Sequence, residues 1–137
     1  MSPESLDSVR RVHAALSAGD ADAAIEICDP EFRLDMSDRV FNPAVYNGHE
    51  GIRAFLAEVS DVWETFTWEP IELEEYDGVV VAVVRSTGRA RGSGLELDRR
   101  SAMVWQLDGD RPISLTFYRD PAEAIAIARG SSGGPGG

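Results

Sequence analysis

The main change in the hydrophobic period of this chain falls near Glu64, from helical spacing to two, and it limits the folds open to it. Upstream, Leu6, Val9, Val12, His13 and Leu16 recur at helical spacing, as do Ile52, Phe55, Leu56, Val59 and Trp63. Downstream the alternation has period two, through stretches 65–76, 79–90, 95–107 and 112–118. Asp77-Gly78 is a strong hairpin signal, Arg91-Gly92-Ser93-Gly94 a looser turn, and Asp108-Gly109-Asp110 a third. Helices first and long hairpin strands last predict an α+β domain, its sheet packed on one side by helices. Strands bent around those helices would enclose a cavity open at one end.

Local signals fill in the order. Ser2 and Pro3 suit the cap and first position of a helix running to Ala18, which Gly19 ends. Asp20 caps a second, short helix that stops at Pro30. Glu31 to Met36 reads as a short strand, with Phe32 and Leu34 on one side and Arg33 and Asp35 on the other. A polar loop ends in Tyr46-Asn47-Gly48, and a third helix spans Glu50 to Trp63. Pro121 to Ala128 forms a closing helix. The domain is expected over 1–128, with 129–137 a disordered Gly/Ser-rich tail.

Composition excludes several partners. The 137 residues carry a net charge of −11 with arginine as the sole basic type, which argues against a nucleic-acid backbone as ligand. No stretch approaches the ~18 apolar residues of a membrane span, and the N-terminus lacks a signal-type run, so a cytoplasmic protein without membrane contact is expected. Cys28, the single cysteine, falls on an apolar helical stripe and is read as core. Two distant histidines make no metal motif, so neither metal nor cofactor is expected.

Three segments together carry a family likeness: HAALSAGDADAAIEICDPEFRLD, VYNGHEGIRAFLAEV and RSAMVWQLDGDRPISLTFYRDPAEA. Their order and spacing resemble the SnoaL-like branch of the nuclear-transport-factor-2-like superfamily, over about residues 6 to 126. The resemblance implies a cystatin-type cone, a curved, mostly antiparallel sheet wrapped around N-terminal helices with an internal cavity. Its members include ketosteroid isomerases, polyketide cyclases, epoxide hydrolases, dehydratases and non-catalytic binding proteins, so function must be sought in the site itself.

Asp35 matches the acid that acts as proton-transfer base in steroid-isomerase relatives. A carboxylate in an apolar cavity loses hydration, and its pKa rises toward a working range. His13 and Tyr46 are candidate partners in catalysis, and Ser101 another hydrogen-bonding group. Strand parity assigns Arg99, Ser101, Met103 and Trp105, with Leu115 and Phe117, to the concave face; Trp63 would add a wall. The steroid-isomerase oxyanion donors are absent: the matching positions are Val12 and Met103. Losing such donors removes roughly 3 kcal/mol of transition-state stabilisation each. The acid of an epoxide-hydrolase relay would fall at Phe117. These residues imply a small hydrophobic ligand and a cofactor-independent isomerase, cyclase or dehydratase. The alternative is a non-catalytic ligand-binding or structural dimerisation module. Val104, Gln106, Thr116 and Tyr118, with one face of 79–84, make the outer sheet face too apolar for solvent, which predicts a homodimer through it.

Overall fold

The computed structural model describes residues 3–39 and 43–132; the expected Ser2 cap and the end of the tail lie outside them. The element order is α1 (Pro3–Ser17), α2 (Ala21–Ile27), β1 (Arg33–Asp35), β2 (Val45–Asn47), α3 (Gly48–Val62), β3 (Trp63–Tyr76), β4 (Val79–Ala90), β5 (Glu96–Asp108), β6 (Arg111–Tyr118) and α4 (Pro121–Ser132). The strands form one sheet in the order β2-β1-β6-β5-β4-β3.

The four long strands make the expected antiparallel meander. Asp77 and Gly78 both take positive φ, 46° and 82°, the two-residue turn whose twist matches the flanking strands. β1 joins parallel to β6 through Leu34 opposite Leu115, and β2 pairs with β1 through Tyr46 opposite Leu34. β2 occupies residues read from sequence as loop; three residues are too few to show a period, and only pairing makes them a strand. Trp63 is likewise not the end of the α3 stripe. The chain turns extended there (φ −113°, ψ 132°), and Trp63 opens β3. Register shifts at Trp63/Thr65 and Pro70/Glu72 in β3 bend the edge of the sheet.

The core lies on the concave face. Val9, Val12 and Leu16 of α1 and Ile52 and Phe55 of α3 pack against Val80, Ala82 and Val84 of β4, Met103 and Trp105 of β5 and Leu115 of β6. The alternate residues point outward. Val81, Ala102 and Val104 form a second cluster beneath Ala124 and Ala128 of α4. The outer face expected to stand open is therefore partly covered by the chain's own last helix. Alanines four apart give that helix a flat apolar stripe that can lie close to the sheet. α4 continues to Ser132, beyond the boundary expected at residue 128.

One side chain ties these layers together. His13 is 1% exposed. The Trp105 indole N–H donates to its Nε2 at 3.1 Å, and its Nδ1 lies 3.1 Å from the Trp68 carbonyl oxygen. Indole can only donate, so Nε2 holds the lone pair and Nδ1 carries the proton given to Trp68. Ser17 Oγ accepts from the Trp68 N–H at 2.8 Å. β3 is an edge strand, and the groups that Trp68 turns away from β4 are thus satisfied by α1 rather than by water.

Burial lowers the His13 pKa from 6.5 to about 4, against the raising effect of its bond to Trp68. The folded state keeps the ring neutral while the unfolded chain takes up a proton below pH 6.5. This contribution is therefore complete above pH 6.5 and is lost as pH falls toward 4, by roughly 3 kcal/mol. Denaturant unfolding followed from pH 7.5 to 4 should show that decline. His13→Gln should be less stable at pH 7.5 by about 1–3 kcal/mol and should lose most of the decline. A wild-type slope retained in the variant would assign it to other groups.

Candidate functional site

Asp35 does not face the interior. On β1, Leu34 is the buried residue and joins the core, with Phe32 and Met36 beside the strand; Arg33 and Asp35 point to the opposite side. The Asp35 side chain, 16% exposed, accepts from the backbone N–H and hydroxyl of Ser37 at 3.0 and 2.6 Å, and Arg33 Nη1 lies 3.3 Å from it. The Ser37 hydroxyl chiefly, with the Ser37 amide and Arg33 adding to it, holds its pKa below the ordinary carboxylate value despite some desolvation. That is the reverse of the shift a proton-transfer base needs near neutral pH. The expected base is thus a turn-capping carboxylate on the outer face.

The other expected residues divide by depth. His13 has both ring nitrogens engaged, so its role is to hold the core. Met103, Trp105 and Leu115 are on the concave face but essentially fully buried, filling the interior that was expected to be hollow. Cys28 is buried as well, and desolvation, with the neighbouring Asp29 charge, pushes its thiol up to about 12. Among the described residues no cluster of His, Cys, Asp or Glu could hold a metal.

Burial falls off toward one end of the cone, where Trp63, Phe66, Leu97 and Phe117 are half-buried. Rings continue inward from there. Trp63 meets Phe66 at 5.1 Å, Phe66 meets Trp68 at 4.6 Å, Trp68 meets Phe55 at 5.6 Å, and Phe55 meets Tyr46 at 5.5 Å between centroids. Gly88 makes this wall possible. A Cβ there would stand 2.7 Å from Phe66 Cδ2 and 3.0 Å from Trp63 Cε3.

Polar groups are few at this end. Tyr46 is buried, and its hydroxyl donates to the Glu58 carboxylate and accepts from Arg39 Nη2 at 2.9 Å. Arg39 also lies 5.9 Å above the Tyr46 and Phe55 rings. Desolvation first, then the bond to Glu58, raises the Tyr46 pKa. Ser101 shares the concave face of β5 with Met103 and Trp105; it is 5% exposed, and its Oγ has no hydrogen-bond partner. Two residues toward the open end on the same face is Arg99, exposed, opposite the buried Ser86 of β4. Arg39, Glu58, Ser86 and Phe66 were missed from sequence. Glu58 three residues after Phe55 on α3 was the available signal for a polar group above the ring wall.

Two hollows are present, and neither is lined by Ser101 or Arg99. One of about 540 Å³ borders the open end, lined by Glu64, Gly88, Arg89, Glu96, Leu97 and Asp98. Another of about 280 Å³ sits between the outer sheet face and α4, against Arg33, Val104, Thr116, Tyr118 and Ile127. Neither includes Asp35, His13 or Tyr46.

Asp35→Asn removes a half-exposed ion pair and weakens a turn cap. It should lower stability by no more than about 1 kcal/mol and leave any ligand binding at the open end unchanged. Unfolding curves and a binding isotherm on the same sample check this. A large loss of binding would return the carboxylate to the site.

More than nine-tenths of the chain shares its architecture with solved structures. An NTF2-like protein of unknown function from Burkholderia pseudomallei K96243 superposes with a TM-score of 0.75 at 21% identity, covering 93% of this chain and 98% of that one. TerC, co-crystallised with polyporic acid, gives 0.76 at 16% identity, covering 92% and 98%. A protein with a ketosteroid isomerase-like fold from Catenulispora acidiphila DSM 44928, in complex with trimethylamine, gives 0.75 at 15% identity, covering 93% and 94%. At these identities the likeness is one of fold. No protein of curated function matches the sequence. The model of the SnoaL-like domain matches residues 9–114, most of the α1-to-β6 unit described above, and the chain therefore belongs to the SnoaL-like family.

Proposed function

We propose that this domain binds a small hydrophobic ring compound at the open end of its cone, on the concave face around Ser101. One observation carries the reading: a buried hydroxyl without a partner on the concave face, beside the apolar Met103 and Trp105. Leaving such a group unsatisfied costs about 1–3 kcal/mol, which a ligand atom can recover. Phe117 on β6 and the Phe66–Trp68 pair on β3 flank β5 and β4 there, giving an apolar body two aromatic sides. Co-crystallisation of TerC with polyporic acid is in keeping with a small-molecule role for the fold.

An isomerase, cyclase or dehydratase activity does not run through Asp35, whose carboxylate faces outward. If this end of the cone is catalytic, the group to carry a proton is Tyr46, hydrogen-bonded to Glu58 and flanked by Arg39. We favour binding without turnover, because the steroid-isomerase oxyanion donors are replaced by Val12 and Met103.

The neutral probe 2-naphthol should bind saturably by calorimetry. Ser101→Ala should weaken it about fivefold, the loss of one hydrogen bond. The same variant should unfold at an equal or higher temperature, because it deletes a hydroxyl that bonds to nothing in the free protein. Lower thermal stability together with unchanged binding would overturn the reading.

We also propose that two copies associate through what α4 leaves open of the outer face, where Ile127, 43% exposed, borders the groove with Val79 and Tyr118. Light scattering should give a dimer for the wild type and a monomer for Ile127→Glu. A monomeric wild type at tens of micromolar would end that proposal.

A further inference from the structure

The open end carries a cation as well as an orphan hydroxyl. The other arginines that could serve there are engaged. Arg39 donates to Tyr46, and Arg119 pairs with Asp38 at 3.6 Å. Arg85 makes a two-pronged contact with Asp98 on the outer face, at 2.9 and 2.6 Å. Arg89 lies 3.8 Å from Glu64. Arg99 makes no ion pair among the described residues. The unbroken pairing of β4 with β5 from Val79–Gln106 to Arg89–Glu96 fixes its face. Ser101, Met103 and Trp105 are on the concave side, so Arg99 is too, and its neighbours Asp98 and Arg100 are not.

Arg99 and Ser101 are thus roughly 6.6 Å apart along one strand face, the first in solvent at the rim and the second buried. Across β4, Arg99 faces Ser86, itself buried, and beyond Ser86 stands Trp68. The sequence from rim to interior is cation, unpartnered hydroxyl, then apolar side chains. A guanidinium recognises planar oxyanions through paired N–H groups. One free cation matches a single negative charge. The net charge of −11 opposes ligands carrying more.

Building on the binding reading above, we propose that the ligand class is a small aromatic monocarboxylic acid, its carboxylate held between Arg99 and Ser101 and its ring on the concave face. The guanidinium takes the outer oxygen, the Ser101 O–H donates to the inner one, and the ring lies toward Phe117 and the Phe66–Trp68 pair. Arg99 would select the acid over its neutral analogues, and Ser101 would serve both.

The test compares 2-naphthoate with the near-isosteric, uncharged 2-naphthamide by calorimetry at low salt, on wild type and Arg99→Gln. Arg99 is exposed, so the substitution leaves the core intact, and circular dichroism verifies the fold. Naphthoate should bind wild type about tenfold more tightly than naphthamide. Arg99→Gln should erase that preference without changing naphthamide affinity, and 0.5 M salt should shrink it, because exposed charge pairs are screened (Debye length of about 4 Å). Equal affinity of both probes for wild type would overturn the carboxylate assignment and leave the binding reading standing. A preference that survives Arg99→Gln would overturn the role of Arg99. Failure of both probes and of 2-naphthol would remove the binding reading and this proposal with it.

Discussion

A neutral imidazole in the middle of the molecule sets the geometry of everything around it. His13 accepts from an indole on β5 and donates to a backbone carbonyl on β3, two strands that never touch because β4 lies between them. Holding both from α1 fixes how far the sheet curls. Ser17 adds a second tie to the same residue of the edge strand. Side-chain hydrogen bonds cooperate in such a dry setting, and each would be costly to leave unmade. The clamp works in one tautomer only, so both of its bonds depend on that ring staying uncharged.

That dependence explains the distribution of chemistry along the concave surface. Near the clamp the interior is filled by Trp105, Met103, Leu115, Ile52 and Phe55, with no room left for a guest. Away from it, packing loosens, and polar groups reappear as Ser101, Ser86, Arg99 and the Tyr46–Glu58–Arg39 chain. Tight packing and looser, more polar surroundings are thus separated along one face of one strand. The Ser101 hydroxyl, unpartnered among the described residues, lies at the border between them.

Much of this was legible in the sequence, for physical reasons that differ from element to element. The long strands announced themselves through alternation and through Asp77-Gly78, whose backbone freedom only one kind of turn uses. The concave placement of Met103, Trp105, Leu115 and Phe117 followed from parity alone. β2 was invisible because its three residues have no pattern apart from the neighbour they pair with. Asp35 is the more instructive failure. Parity on the short strand already set Phe32 and Leu34 against Arg33 and Asp35, and burial of the first pair sends the second outward. The family likeness suggested the opposite, and a one-residue offset in so short a strand is enough to exchange the two faces. The Tyr46–Glu58–Arg39 chain joins a loop, a three-residue strand and a helix within 20 residues of sequence, and only their packing brings the three side chains together.

The helix that closes the chain has its own implication. Ala124 and Ala128 lie over Val81, Ala102 and Val104, so α4 is a lid on the second hydrophobic layer rather than a trailing end. A protease cutting just before Pro121 would strip that layer bare along the middle of β4 and β5. The resulting fragment would retain its principal core yet present a broad greasy face to other molecules. Concealment of that second layer therefore depends on the twelve residues of α4, and an appended tag belongs where it leaves their packing undisturbed.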